Sequence, residues 1–123
     1  MSNTKKIVGN WGEKKAEEFL IKSDYLILDR NVRTTHGEID IVAEKNGIIT
    51  FVEVKTRTND KFGNPEDAVD KKKKTKLIES ALAFMQDHPE LEDTWQIDVI
   101  AVYQEYSKEI KLLHFLNAVD EYE

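Results

Sequence analysis

Asp40, Glu53 and Lys55 lie in two short apolar runs, "GEIDIVAEK" and "IITFVEVKTR", separated by Asn46-Gly47. Asn-Gly between such runs is the strongest short hairpin signal, because both residues tolerate the positive φ of a tight two-residue turn. With these two as the loop, Lys45 faces Ile48, and each further pair keeps the same sum of residue numbers. Asp40 then falls opposite Glu53 and Glu38 opposite Lys55, and side-chain alternation places all four on one face. The other face carries Ile39, Ile41, Ala43, Val52 and Val54. Like charges directly opposed, with Cβ atoms about 4.5 to 5.5 Å apart, destabilise a sheet, so Asp40 and Glu53 need compensation.

Two converging carboxylates suit a hard divalent cation that keeps several waters, magnesium first and manganese as its substitute. Such an ion can bind a phosphodiester oxygen and acidify an attacking water, and Lys55 on the same face can orient that water or stabilise the pentacovalent phosphate. The alternative is a cross-strand salt network among Glu38, Asp40, Glu53 and Lys55 on a wet face. Val42 and Phe51 share that face and require cover, so part of it should be buried.

These residues need a frame to hold them. "NWGEKKAEEFLIKSDY" reads as a helix from Asn10 to about Ser23, with Asn10 as its cap and Ala16, Phe19 and Leu20 at helical spacing. "YLILDRNVR" is β-rich and leads into the hairpin. After the polar loop "RTNDKFGN", Asn64-Pro65-Glu66-Asp67 starts a second helix running to about Gln86 or His88. "TWQIDVIAVY" and "IKLLHFL" are two further strands joined through "QEYSKE". The order α-β-β-β-α-β-β describes an α/β fold, a mixed sheet flanked by helices.

The 123 residues fit one domain spanning 1–123 with a single core. With no cysteine, disulfides, thiolate metal sites and cysteine nucleophiles are excluded. No apolar run reaches the roughly 20 residues that span a bilayer, and the start has no apolar signal region, so no membrane partner and a cytoplasmic location are expected. A net charge of −6 argues against general stickiness toward nucleic acid, leaving a local basic patch such as "DKKKKTK" to bind it.

Asp40, twelve intervening residues and "EVK" resemble the PD-(D/E)xK nuclease superfamily, whose core is helix, three strands, helix, strand. The blocks "GEKKAEEFL", "NVRTTHGEIDIVA", "FVEVKTR", "FGNPEDAV" and "HFLNA" are similar, in order, to the YraN-like family of small bacterial proteins, related in fold to Holliday junction resolvases. The resemblance covers nearly the whole chain and implies a restriction-endonuclease-like core. It further implies that Asp40 and Glu53 hold a divalent metal, that Glu13 on the first helix completes the site, and that Lys55 is catalytic. On a helical wheel Glu13 lies beside Leu20 and near Ala16, facing the sheet, with Glu17 at the edge and Glu18 pointing away. The alternative for Glu13 is a capping box with Asn10. The chain departs from the family in carrying Gln96, where an arginine usually precedes the second hydrophobic-Asp strand, and in its acidity.

The implied activity is a magnesium-dependent nucleic-acid phosphodiesterase, a DNA endonuclease selective for structure, with a homodimer as one possible assembly. The alternative is a nuclease-fold module that binds nucleic acid or protein without cleaving it. Arg33, Arg57 and Lys61 flank the site from loops and can steer a nucleic-acid backbone. Lys73 alone of the lysine run aligns with Val69 and Leu77, which suits either a phosphate contact or a snorkelling stem. Glu38 and Glu17 stand beside the acidic triplet. His36 reads as surface, His114 as a satisfied core or edge histidine, and Trp11 and Trp95 as core or lid.

Overall fold

The computed structural model describes residues 2–57, 71–91, 93–104 and 109–119, with side chains from residue 7 onward. The elements are α1 (Ser2–Lys22), β1 (Leu26–Thr34), β2 (Gly37–Lys45), β3 (Ile48–Arg57), α2 (Lys71–Asp87), β4 (Trp95–Gln104) and β5 (Ile110–Val119). This is the expected α/β order, and the core sequence of helix, three strands, helix, strand is the one the resemblance implies. The strands form one sheet in the order β1-β2-β3-β4-β5. β3 and β4 run parallel and every other neighbouring pair is antiparallel, so the sheet is mixed. A parallel pair needs a long connection, and α2 lies within it.

A core forms on each face of the sheet. On one, Leu77, Ala81 and Phe84 of α2 pack with Ile39, Val42, Phe51, Ile97 and Val99. On the other, Ala16 and Leu20 of α1 pack with Ile41, Ala43, Val52, Ile100 and Val102. The cover expected over Val42 and Phe51 is therefore α2, with Phe84 and Trp95 meeting the Phe51 ring edge-on. Trp11 and Trp95 are half-buried at the margins of the two cores. No described helix is long and apolar enough to cross a membrane.

α1 begins earlier than its sequence signals suggest. Asn10 lies inside the helix and is exposed rather than capping it, so the capping-box alternative for Glu13 falls. A glycine or asparagine within a helix costs only about 1 kcal/mol or less relative to alanine, which continuation of the turns on either side offsets. The end is sharp. Asp24 takes a left-handed conformation (φ 70°), the Tyr25 amide donates to the Leu20 carbonyl at 2.9 Å, and the Asp24 amide donates to Ile21 at 3.1 Å. This paired arrangement satisfies the last carbonyls and turns the chain into β1.

The expected start of α2 near Pro65 and the loop "RTNDKFGN" lie outside the described residues, as does most of "QEYSKE". Asp87 ends α2 where the sequence places it. The β2–β3 turn is as read: Asn46 (φ 55°) and Gly47 (φ 78°) both occupy the left-handed region, and the ladder runs from Lys45↔Ile48 to Ile41↔Val52.

α1 meets β3 most closely at Gly12. A Cβ there would stand 1.9 Å from Thr56 Oγ1 and 2.9 Å from the Thr56 Cβ and Cγ2 atoms. Gly12→Ala is expected to destabilise the protein by about 1 to 3 kcal/mol, because the clash outweighs the helix-propensity gain of about 1 kcal/mol. Denaturant unfolding of Gly12→Ala, Thr56→Ala and the double variant checks this, with the double variant expected to recover part of the loss.

Candidate functional site

The β2–β3 register expected from the turn holds as far as Ile41↔Val52, and there the ladder stops. Asp40 does not continue it. Its Oδ2 instead accepts a hydrogen bond at 2.8 Å from the Val54 backbone amide, so the carboxylate inserts between strands that would otherwise zip further. The expected shared face is also broken. Ile39 joins the α2-side core and Ile41 the α1-side core, although strict alternation would put them together. β1 changes face at the same level, with Arg30 reaching α1 and Val32 packing on the α2 side. Between Arg30↔Ile41 and Val32↔Ile39, the register sets Asn31 opposite Asp40, and Asn31 is left-handed (φ 49°). That conformation rotates the following residues and accounts for the switch.

Asp40 consequently opens into a cleft of about 350 Å³ between α1 and the β1–β2 strands, lined by Asn10, Glu13, Glu17, Arg30 and Asn31 among others. Glu13, on the turn after Gly12, is half-buried there. Glu38 comes to the same side: with the Asn31 amide nitrogen turned toward the acids, it donates to Glu13 Oε1 at 2.9 Å and to Glu38 Oε1 at 3.3 Å. The expected Glu38–Lys55 cross-strand pair is not made. Lys55 Nζ lies 3.5 Å from Glu53 Oε1, and Lys73 Nζ reaches the same oxygen at 3.1 Å from α2. Lys73 thus reaches inward to a carboxylate.

The electrostatics follow from this crowding. Burial, then the neighbouring Glu53, push the Asp40 carboxyl up to about 7, with the Val54 amide opposing the rise. Burial, then Glu38 and Glu53, raise Glu13. Burial and the adjacent Lys73 ammonium lower Lys55, with Glu53 opposing. Burial works against the Lys73 charge as well, but its contacts with Lys55 and Glu53 hold it above the ordinary range. Among the described residues no cation makes an ion pair with Glu13, Glu38 or Asp40. No three acidic or histidine side chains there are already gathered as a cage for an ion. The donor set is nevertheless all carboxylate oxygen, the kind a hard divalent cation takes.

The remaining candidates are dispersed. Glu17 is engaged by Arg30 through Nε to Oε1, and through Nη2 to Oε2 at 3.0 Å, and hydrogen bonding to Arg30 lowers its carboxyl from the ordinary value. Arg33 is exposed opposite Glu38, and Arg57 donates to its neighbour's carbonyl, Thr56 O, at 2.9 Å. Lys61 lies outside the described residues. His36 pairs with Glu79 of α2 at 2.9 Å. His114 is satisfied, as read: its Nε2 lies 2.7 Å from Asp98 Oδ2, while Gln96 Nε2 and the Asn117 amide each donate to Asp98 Oδ1 at 2.8 Å. Gln96 therefore has a partner of its own inside the fold.

Arg30 and Asn31 escaped the sequence reading. The signal was present in "DRN", a polar triplet of residues mostly depleted from strands, set in the middle of a β-rich run.

A carboxyl that binds its proton more tightly folded than unfolded gives stability that is lost as pH rises. For Asp40 the loss develops between its ordinary value of 3.8 and about 7, and is complete above that. Asn keeps the oxygen that accepts from Val54 and carries no charge. In metal-free buffer Asp40→Asn is expected to melt above wild type at pH 8, by roughly 3 °C or more. The gain should shrink at pH 5, and thermal melts at the two pH values check it.

Residues 12–102 match the model of Uncharacterised protein family UPF0102. A UPF0102 protein of Syntrophomonas wolfei is 40% identical over 111 residues, covering 90% of this chain and 96% of the relative. One from Trichlorobacter lovleyi is 42% identical, covering 92% and 90%. Among solved structures, Pyrococcus furiosus SfsA in complex with Ca²⁺ aligns with a TM-score of 0.42 at 16% identity, over 85% of this chain and 63% of that one. The family model and the relatives agree along most of the length, and the chain belongs to the UPF0102 (YraN) family.

Proposed function

We propose that the protein is a divalent-metal-dependent phosphodiesterase acting on nucleic acid, with DNA as its substrate. One observation carries the reading: Glu13, Asp40 and Glu53, from three different elements, lie near enough to repel one another, and burial together with that repulsion pushes Asp40 up to about 7. A cluster held at that electrostatic cost, with no cation paired to Asp40 or Glu13 among the described residues, suits the recruitment of a positive ion. A salt network alone fits less well, because the close ion pairs of both lysines are made with Glu53.

In this reading Glu13, Asp40 and Glu53 would hold magnesium or manganese. A bound ion would supply Lewis acidity toward the phosphodiester and make an attacking water more acidic. The chain's own residues do the rest. The Val54 amide fixes the Asp40 carboxylate, and Glu53 holds Lys55 two residues along the same strand, where the ammonium can stabilise charge developing on the phosphate. Lys73 neutralises Glu53 and keeps a second positive charge beside the acids. Arg33, Arg57 and Lys61 are assigned to the nucleic-acid backbone, where such contacts position without reading sequence.

Incubation of end-labelled single-stranded, duplex, flapped and four-way-junction DNA with Mg²⁺ or Mn²⁺ tests the proposal. Wild type is expected to cut at least one substrate, and Asp40→Ala and Lys55→Ala to lose roughly 100-fold or more of that activity. Salt-sensitive DNA binding without cleavage, unchanged in both variants, would instead support a binding module on the same fold.

A further inference from the structure

The face switch at Asn31 and Asp40 is a second irregularity of the β1–β2 pairing, beyond the register shift between Ile27 and Asp29. Non-glycine residues seldom adopt left-handed backbone, and Asn does so more readily than most. Here it occurs in mid-strand, opposite Asp40, the β2 residue skipped between Ile39 and Ile41 in the pairing with β1. With its nitrogen turned toward the acids, the same Asn31 amide donates to Glu13 Oε1 at 2.9 Å and to Glu38 Oε1 at 3.3 Å, the orientation that satisfies both the amide and the carboxylates. One residue therefore meets the acidic cleft twice, through its backbone and through its side chain.

We propose that Asn31 is a positioning residue of the acidic site: its left-handed backbone turns Asp40 into the cleft, and its amide ties Glu13 of α1 to Glu38 of β2. The tie matters because two carboxylates from separate elements repel, and a neutral NH₂ group with two hydrogens can hold one oxygen of each. Asn is suited to both tasks. Gly supplies the backbone without the amide, and Ala supplies neither. As a positioning group Asn31 touches the carboxylates rather than substrate. This inference rests on the reading of the cleft as a metal site only for its consequence, tighter metal binding; the tie itself belongs to the metal-free protein.

Two measurements separate these parts. In the metal-free protein, the Asn31 side-chain NH₂ pair, assigned in a ¹⁵N-correlated NMR spectrum by its absence from Asn31→Gly, is expected to move on Glu13→Gln. It should stay in place on Glu18→Gln, whose carboxylate is exposed and pairs with Lys15. An NH₂ pair unmoved by Glu13→Gln would overturn the tie. Mn²⁺ binding, followed by the loss of the free-ion electron paramagnetic resonance signal, is expected to weaken about tenfold or more in Asn31→Gly. That variant should melt close to wild type, whereas Asn31→Ala melts lower because Ala resists the left-handed backbone. If Asn31→Gly binds Mn²⁺ as tightly as wild type, the positioning role falls. If wild type binds no Mn²⁺ while the NH₂ pair still answers to Glu13→Gln, the tie stands and the metal reading of the cleft fails.

Discussion

Like charges brought together repel, and the carboxylates of Glu13, Glu38, Asp40 and Glu53 are held near one another by three elements that must each resist that repulsion. α1 is held by direct contact at Gly12 and Thr56, by the bidentate Arg30–Glu17 pair on its flank, and by the sharp turn at Asp24 that returns the chain to the sheet. α2 grips the opposite face. Its Ser80 hydroxyl lies 3.1 Å from Thr34 Oγ1 at the end of β1, and its Lys73 reaches Glu53. Apolar burial on both faces supplies the stability that lets so much charge be concentrated at one end of the sheet.

Two aspartates of the sheet, Asp98 on β4 and Asp40 on β2, show how differently a fold can treat the same group. Asp98 is fully buried and bonded to a glutamine of its own strand and to a histidine and a backbone amide of β5, the last two fastening β5 to β4 where the register shifts. Asp40 is less enclosed and has one backbone donor, with three other acids as neighbours. Full satisfaction marks a structural acid, while partial satisfaction beside an open cleft leaves capacity for a ligand.

Much of this was legible beforehand, for local reasons. Asn46-Gly47 determines a turn by its own backbone preferences, and the turn then dictates the register from Lys45↔Ile48 to Ile41↔Val52. The inward direction of Glu13 and the outward direction of Glu18 follow from helical periodicity alone. Period-two alternation could not foresee the break at Asp40, because that depends on a single left-handed residue in a different strand. Nor could a cap signal at Asn10 compete with turns that continue on both sides of it. Lys73 was visible as a lysine in line with apolar positions, but its contact with Glu53 depends on where α2 crosses the sheet, which no local pattern specifies.

The parallel pairing of β3 with β4 imposes an order of events on folding. The β1–β2–β3 meander closes through short connections, whereas β4 can dock only after the chain through α2 has been threaded across the sheet, and such non-local contacts form at greater entropic cost. The acids of β2 and β3 therefore meet early, while Lys73 arrives with the late crossover. The nascent hairpin must tolerate its own charge unaided, so ionic strength acts on the speed at which this protein folds as well as on its final stability.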